Sequence, residues 1–287
     1  MKNCIELEQI RRNALSVDCW QLYAGHRRTV TELLTRVPLV SSTPALCVFG
    51  AGNCNDLDLR QLAPRFSNMH LVDLDGDSLD RGVARQDLDS AAGIQVHGGV
   101  DLTGLLGLLD SWTSRGSADE QQVRQFLQQP VSPIPASLAG LTGTMDVVGS
   151  VCVLSQLVDS VVSALGQTHP CFLDMVFFLR REHLRLILDL LRDGGRGVLI
   201  TDFVSSDTCP ELAQAPPDRL PSLCIDLIRQ ENFFTGLNPF AIVNSLRQDA
   251  VFQGRIGDVE VSPPWCWQYV TRTYAVAAIV FSKTGVP

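Results

Sequence analysis

Between residues 5 and 37 apolar positions recur at helical spacing among polar ones, which predicts two helices ahead of any strand. Pro38 and the run "SSTP" then end the pattern. From residue 45 short β-rich apolar runs alternate with helix-like segments. The runs 45–49, 69–73, 94–97, 146–154 and 197–203 read as strands, and the helical material between them is what parallel strands need for their crossovers. The chain closes with "WCWQYVTRTYAVAAIVFSK", two β-rich runs around a polar turn, hence an antiparallel hairpin. The expected architecture is α/β: a doubly wound, mostly parallel, seven-stranded sheet with a C-terminal antiparallel hairpin. Residues 1–44 form an N-terminal helical cap and residues 45–287 the sheet domain.

Local signals refine this picture. Ahead of the fifth strand Phe177, Leu184, Leu188 and Leu191 keep one helical stripe, and Gly194 stands where a left-handed C-terminal cap is wanted. Asn238 followed by Pro239 announces a later helix. The segment from about 113 to 143, rich in Gln, Ser, Pro and Gly, reads as an insertion. It carries a polar helix over 119–129 and a proline-bearing loop.

Composition narrows the function. With 45% hydrophobic residues the chain can bury a sizeable core. Its 31 acidic against 23 basic residues, a net charge of -8, argue against a nucleic-acid backbone as partner and favour a small molecule. The nine cysteines show no Cys-x-x-Cys and no zinc spacing, so no metal is expected, and the five histidines show no triad spacing. "MKNCIELEQIRRNALSVDCW" lacks the apolar core of a signal peptide, and no run of about 18 apolar residues suggests a membrane span. The expectation is a cytoplasmic protein with no membrane partner.

The candidate chemistry lies in "LCVFGAGNCNDLDL", a strand running into a glycine-rich turn. Gly50 and Gly52 let the backbone approach a ligand closely, and Ala51 is small enough not to obstruct it. "LVDLD" places Asp73 about twenty residues on, the distance expected for a carboxylate beside a ribose. With "HGGVDLTG", "MDVVGSVCVLSQL", "LLRDGGRGVLITDF" and the closing hairpin, the order of motifs resembles that of class I S-adenosylmethionine-dependent methyltransferases, over roughly residues 45–283. The resemblance implies a Rossmann-like fold and S-adenosylmethionine as cofactor, with in-line methyl transfer to a small-molecule acceptor. It further implies that Gly50, Ala51 and Gly52 lie beneath the methionine and ribose, that Asp73 and Leu74 hold the ribose, and that Asp101 and Leu102 meet the adenine. Ser150, Val151 and Cys152 then line the methionine end.

Two features depart from that family's pattern. Val48 replaces the usual acidic residue two places before the first glycine, so Asp56 or Asn55 is expected to hold the turn instead, and Cys54 replaces a frequent third glycine. No residue spacing identifies a general base. Asp202, at the carboxyl end of the fifth strand, and the aromatics Trp20, Tyr23 and Phe203 are candidates for the acceptor side, where an aromatic wall suits a small flat or cationic substrate. The cap over the acceptor is expected from the N-terminal helices, the 113–143 insertion and residues 204–240. Two other readings are a binding protein that holds the cofactor without turnover, and an NAD(P)-dependent oxidoreductase. The latter needs G-x-G-x-x-G, whose third glycine falls at Asn55.

Overall fold

The structure, a computed structural model, describes residues 3–39, 41–88, 91, 93–116, 118–129 and 134–285. Two helices come first. α1 (Cys4–Ser16) starts in a capping box, with the Asn3 side chain accepting from Glu6 N and Glu6 returning a bond to Asn3 N. α2 (Ala24–Arg36) ends where Val37, the residue before Pro38, turns extended.

Five parallel strands follow: β1 (Ala45–Phe49), β2 (Asn68–Val72), β3 (Ile94–His97), β4 (Met145–Val151) and β5 (Leu191–Ser205). Between them run α3 (Leu59–Leu62), α4 (Gly76–Arg85), α5 (Leu106–Ser114), α6 (Glu120–Leu127), α7 (Leu154–Leu165) and α8 (Phe172–Leu190). After β5 come α9 (Leu220–Arg229) and α10 (Pro239–Gln248), the latter capped by Asn238 as its sequence announces. The chain ends in β6 (Ile256–Val261), β7 (Trp265–Tyr269) and β8 (Arg272–Lys283).

The sheet runs β3-β2-β1-β4-β5-β8-β6, and β7 also pairs with β8, which is antiparallel to all its neighbours. Of the eight strands, β6 and β7 take successive stretches of one edge of β8, with Val261 opposite Ile279 and Trp265 opposite Val276. Pro263 and Pro264 fall in the gap, and a residue without an N–H cannot continue a ladder. The seven positions expected are therefore present, one of them split. β6, with Gly257, Asp258 and Glu260 at a half-exposed edge, has no strand signal in the sequence.

β1 and β4 are buried throughout, as central parallel strands covered on both faces must be. Alternate residues feed two cores: Ala45, Cys47 and Phe49 pack with α7 and α8, while Leu46 and Val48 pack with α2 and α4. In α8 Leu184 and Leu188 are buried, but Phe177 stays 45% exposed beneath the Arg180 guanidinium. The helix ends at Leu190, Leu191 already belongs to β5, and Gly194 (φ +76°) sits in a bulge of that strand rather than at a helix cap.

The 113–143 segment holds α6, whose Phe126 packs edge-on against Trp112 and Phe178. It is anchored on the α8 side of the sheet; residues 117 and 130–133, the last within its proline-bearing loop, lie outside the described residues. No helix among the described residues is long and apolar enough to cross a membrane.

Candidate active site

The turn after β1 is built on two left-handed glycines, Gly50 (φ +74°) and Gly52 (φ +44°). Gly50 N and Ala51 N both donate to Val72 O of the neighbouring strand. A Cβ on Gly50 would stand 2.2 Å from Val153 Cγ2. Gly52 N donates to Asp73 Oδ2, and Asp75 N to Asp73 Oδ1, both at 2.9 Å. The carboxylate beyond β2 thus fixes the turn that Val48, buried in β1, has no means to hold.

Asp56 and Asn55 do not take that part, contrary to the sequence expectation. Asn55 is turned toward α1 and α4, donating to Ser16 O and accepting from Arg85 Nη1, while Asp56 faces His26. The side chain at Asn55, where a dinucleotide fold needs glycine, is thereby accommodated. Close packing is supplied from the other partner: a Cβ on Gly82 of α4 would stand 2.5 Å from the Asn53 carbonyl.

Two adjoining cavities open over the carboxyl ends of the strands, where ligands bind in such sheets. The smaller, about 370 Å³, is lined by Leu74, Asp101, Leu102, Val100 and Val153 among others, an apolar slot suited to a flat base. The larger, about 620 Å³, is lined by Ala51, Gly52, Val151, Cys152, Asp202 and Tyr23 among others. Gly50 and Asp73 line both.

α1 roofs the join. Arg12 bonds Glu8 on its own helix and Asp159 on α7, Tyr269 Oη donates to Arg12 O, and Asn13 Nδ2 donates to Ser78 Oγ and Asp75 Oδ2. Asp75, which also caps α4, is spent on these contacts, so Asp73 is the aspartate left facing the cleft. Asp101 accepts from Thr103 N, Thr103 Oγ1 and Leu106 N, and so shapes the wall of the smaller cavity as well as lining it.

Three expected residues lie elsewhere. Ser150 is fully buried and bonded to His183 Nε2 at 2.7 Å. Phe203, 1% exposed, sits in the α8-side core. Their neighbours Val151 and Asp202, also expected at the site, do line the cavity, because successive residues of a strand point to opposite faces. Trp20 lies outside both cavities, covered by Arg27 with its guanidinium 3.5 Å from the ring centroid. Of the described residues of 113–143 only Thr113, near the end of α5, lines either cavity, so α6 and the loop after it do not roof the site; from 204–240, Phe234, Thr235 and Leu237 do line it. The residues sequence reasoning missed are Asn13, Arg12, Ser155, Trp267 and Tyr274. The one usable signal is Trp267 with Tyr269, two apart in a strand and so on one face.

Burial dominates the electrostatics. It raises the carboxyls of Asp73 and Asp202 to about 6, against the stabilising hydrogen bonds from Gly52, Asp75 and Ser155. It raises Asp56 to about 7, lowers His26 to about 3, and holds the Cys152 thiol in its neutral form. Among the described residues no group of three or more His, Cys, Asp or Glu side chains could hold a metal ion.

No family profile and no curated protein matches the sequence. By structure the chain is similar to phosphoethanolamine N-methyltransferase 2 of Haemonchus contortus, solved with phosphomonomethylethanolamine and S-adenosylhomocysteine. The TM-score is 0.50 at 11% identity, covering 96% of this chain and 58% of that one. An O-methyltransferase family protein of Burkholderia thailandensis gives 0.47 at 12% identity over 96% and 60%, and the CurJ carbon methyltransferase 0.45 at 14% over 93% and 58%. The chain thus spans less than two thirds of each of these proteins. The fold is that of class I S-adenosylmethionine-dependent methyltransferases.

Proposed function

We propose that the protein is an S-adenosylmethionine-dependent methyltransferase acting on a small-molecule acceptor. The observation that carries this reading is the bond from Gly52 N to Asp73 Oδ2, which ties the glycine turn to a carboxylate at the lip shared by both cavities. The residues present fit the cofactor. Each Asp73 oxygen accepts one backbone N–H and the Asn13 amide also acts on the carboxylate, whose remaining acceptor capacity is available to the ribose hydroxyls. A Cβ on Gly52 would stand 3.7 Å from Asp73 Oδ2, so glycine keeps that carboxylate accessible.

Gly50, Ala51, Gly52, Asp73 and Leu74 hold the ribose and methionine portions. Asp101 and Leu102 bound the adenine, and Val151 with Cys152 lines the methionine end. When bound, the cofactor supplies a methyl group on a sulfonium, already activated by its leaving group. The chain's own part is orientation and exclusion of water. α1 roofs the cleft, and residues 1–44 act as its cap on the sheet domain 45–287. Asp202, its Oδ1 accepting from Ser155 Oγ at 2.7 Å, is placed to orient the acceptor or take a proton from it.

Incubation with methyl-labelled S-adenosylmethionine and a cell extract, followed by dialysis, tests the acceptor class. Label in the dialysable fraction is expected. Label retained on protein or RNA overturns the small-molecule assignment, and cofactor binding without any transfer favours the non-catalytic reading.

A further inference from the structure

The cleft has an end that neither the glycine turn nor Asp73 explains. Six buried side-chain atoms in the described residues lack hydrogen-bond partners, and four of them belong to neighbouring residues here: Tyr23 Oη, His26 Nε2, Asp56 Oδ1 and Trp267 Nε1. His26 Nε2 and Asp56 Oδ1 face each other at 3.5 Å, longer than a good hydrogen bond, so this end of the cleft is left under-satisfied where buried polar groups ordinarily find partners. Tyr23 and Trp267 are 2% and 7% exposed and line the larger cavity with Asp56. The Ser16 hydroxyl lies close to Tyr23 Oη and eases its burial only in part.

The walls are aromatic. Tyr23 meets Trp267 edge-on at 5.5 Å between centroids, Trp267 meets Tyr274 at 5.6 Å, and Tyr269 meets Tyr274 at 6.4 Å. All four rings line the cavity, with Asp56 acting on Tyr23 at one end and Asp202 on Tyr274 at the other.

The charges left over in this box are negative. Each arginine lining the cavity is already paired: Arg11 with Glu8, Arg12 with Glu8 and Asp159, and Arg272 with Asp207. Asp56 and Asp202 have no arginine or lysine in ion-pair contact among the described residues. Arg27 acts on Asp56 through space but spends its Nη1 on the Trp20 and Asn55 carbonyls. His26 supplies no charge. Trp265 Nε1 donates to its Nδ1 at 3.0 Å, which puts the proton of the neutral ring on Nε2, 3.5 Å from Asp56 Oδ1.

We infer that the aromatic box of Tyr23, Trp267, Tyr269 and Tyr274 is the acceptor subsite and that it takes a small organic amine as its cation, with the ammonium docked on Asp56. This rests on the methyltransferase reading and deepens it. Ring faces attract a cation, and a carboxylate whose neighbour is the neutral His26 ring rather than a cation supplies the charge-assisted hydrogen bond that orients it. An anionic or phosphorylated acceptor meets no free cation among the described residues that line the cavity. For transfer the ammonium first gives one proton to a carboxylate of the box, and the freed nitrogen lone pair forms the N–CH3 bond. The S–CH3 bond breaks with its electron pair remaining on sulfur as a thioether.

The test uses the full chain, with phenethylamine and tryptamine as cationic probes against 2-phenylethanol and phosphoethanolamine. Calorimetry of each probe is run on protein saturated with S-adenosylhomocysteine, and methyl transfer is followed by mass spectrometry. The amines are expected to bind and be N-methylated, the other two not. Asp56→Asn should weaken amine binding about tenfold or more, while S-adenosylhomocysteine affinity changes less than about twofold. Trp267→Phe replaces the indole face with the weaker cation-attracting phenyl face and should weaken the amines several-fold; unfolding curves confirm that both variants fold. Preference for the alcohol or the phosphorylated probe overturns the proposal. So does binding of no probe, or an Asp56→Asn variant whose loss falls on S-adenosylhomocysteine instead. Failure of the parent protein to bind S-adenosylhomocysteine at all refutes the methyltransferase reading itself.

Discussion

Replacing Asp73 by asparagine should separate the two tasks its carboxylate performs. Each oxygen accepts one backbone N–H, from Gly52 and from Asp75, at 2.9 Å. Asparagine keeps one acceptor and turns an amide N–H toward the other donor, a loss of about 1–3 kcal/mol. Against this, burial raises the acid from its ordinary 3.8 to about 6. The folded chain therefore holds the proton more tightly than the unfolded chain. The group's stabilising contribution is full below 3.8 and is lost as pH rises through about 6, so keeping the charge at pH 8 costs about 3 kcal/mol. The amide avoids that cost, and the two effects nearly cancel. Unfolding of the unliganded variant in urea at about pH 8 should differ from the parent by no more than about 2 kcal/mol.

Affinity has no such offset. Two ribose hydroxyls donating to a carboxylate become two donors facing one amide oxygen, so S-adenosylhomocysteine should bind about tenfold or more weakly. Donors to Asp73 favour its ionised form, so the parent's affinity should rise with pH toward about 6 and level off above it, and the variant should lose that step. Calorimetry over this range reads both quantities. Unchanged affinity in the variant, or a parent profile without the step, refutes the ribose assignment.

Gly50→Ala, with its Cβ 2.2 Å from Val153 Cγ2 and 2.9 Å from Val151 O at φ +74°, should cost more than about 3 kcal/mol. Gly99→Ala, at φ +70° with nothing within 4 Å, should cost about 1 kcal/mol by the backbone term alone, and equal losses in urea unfolding would contradict the packing. Asp202→Asn keeps an acceptor for Ser155 Oγ and removes a carboxyl raised from 3.8 to about 6 by burial. The variant's stability relative to the parent should therefore grow by up to about 3 kcal/mol between about pH 4 and pH 8. A difference that does not change with pH would show that this carboxyl is not held ionised in a buried site.

The parts of this site that local chemistry encodes were legible in the chain. "FGAGN" predicts a turn that only glycine can make, and the spacing to "LVDLD" finds Asp73. The terminal hairpin follows from two β-rich runs. What the sequence hides is parity and convergence. β4 is buried along its whole length and β5 from Gly197 onward, so their apolar runs carry no alternation to say which neighbour faces the cleft. Both members of each pair, Ser150 with Val151 and Asp202 with Phe203, were expected there for that reason, yet only Val151 and Asp202 line it.

The aromatic box gathers Tyr23 at the N-cap of α2, the loop after the glycine turn, and the β7–β8 hairpin from opposite ends of the chain, a convergence that no local spacing reports. Asn13 is similarly invisible: it is a polar residue in an amphipathic helix until α1 docks on α4. The split of the sixth strand position is written in Pro263 and Pro264, but only a partner strand gives those prolines their meaning.

The central claim is that the cleft binds an adenosyl sulfur compound through the glycine turn and Asp73. Titration calorimetry of the purified protein with S-adenosylhomocysteine and, separately, with NADH tests it most directly. Saturable binding of S-adenosylhomocysteine at roughly micromolar strength, with no heat from NADH, is the predicted result. Binding of NADH with none of S-adenosylhomocysteine would contradict the account.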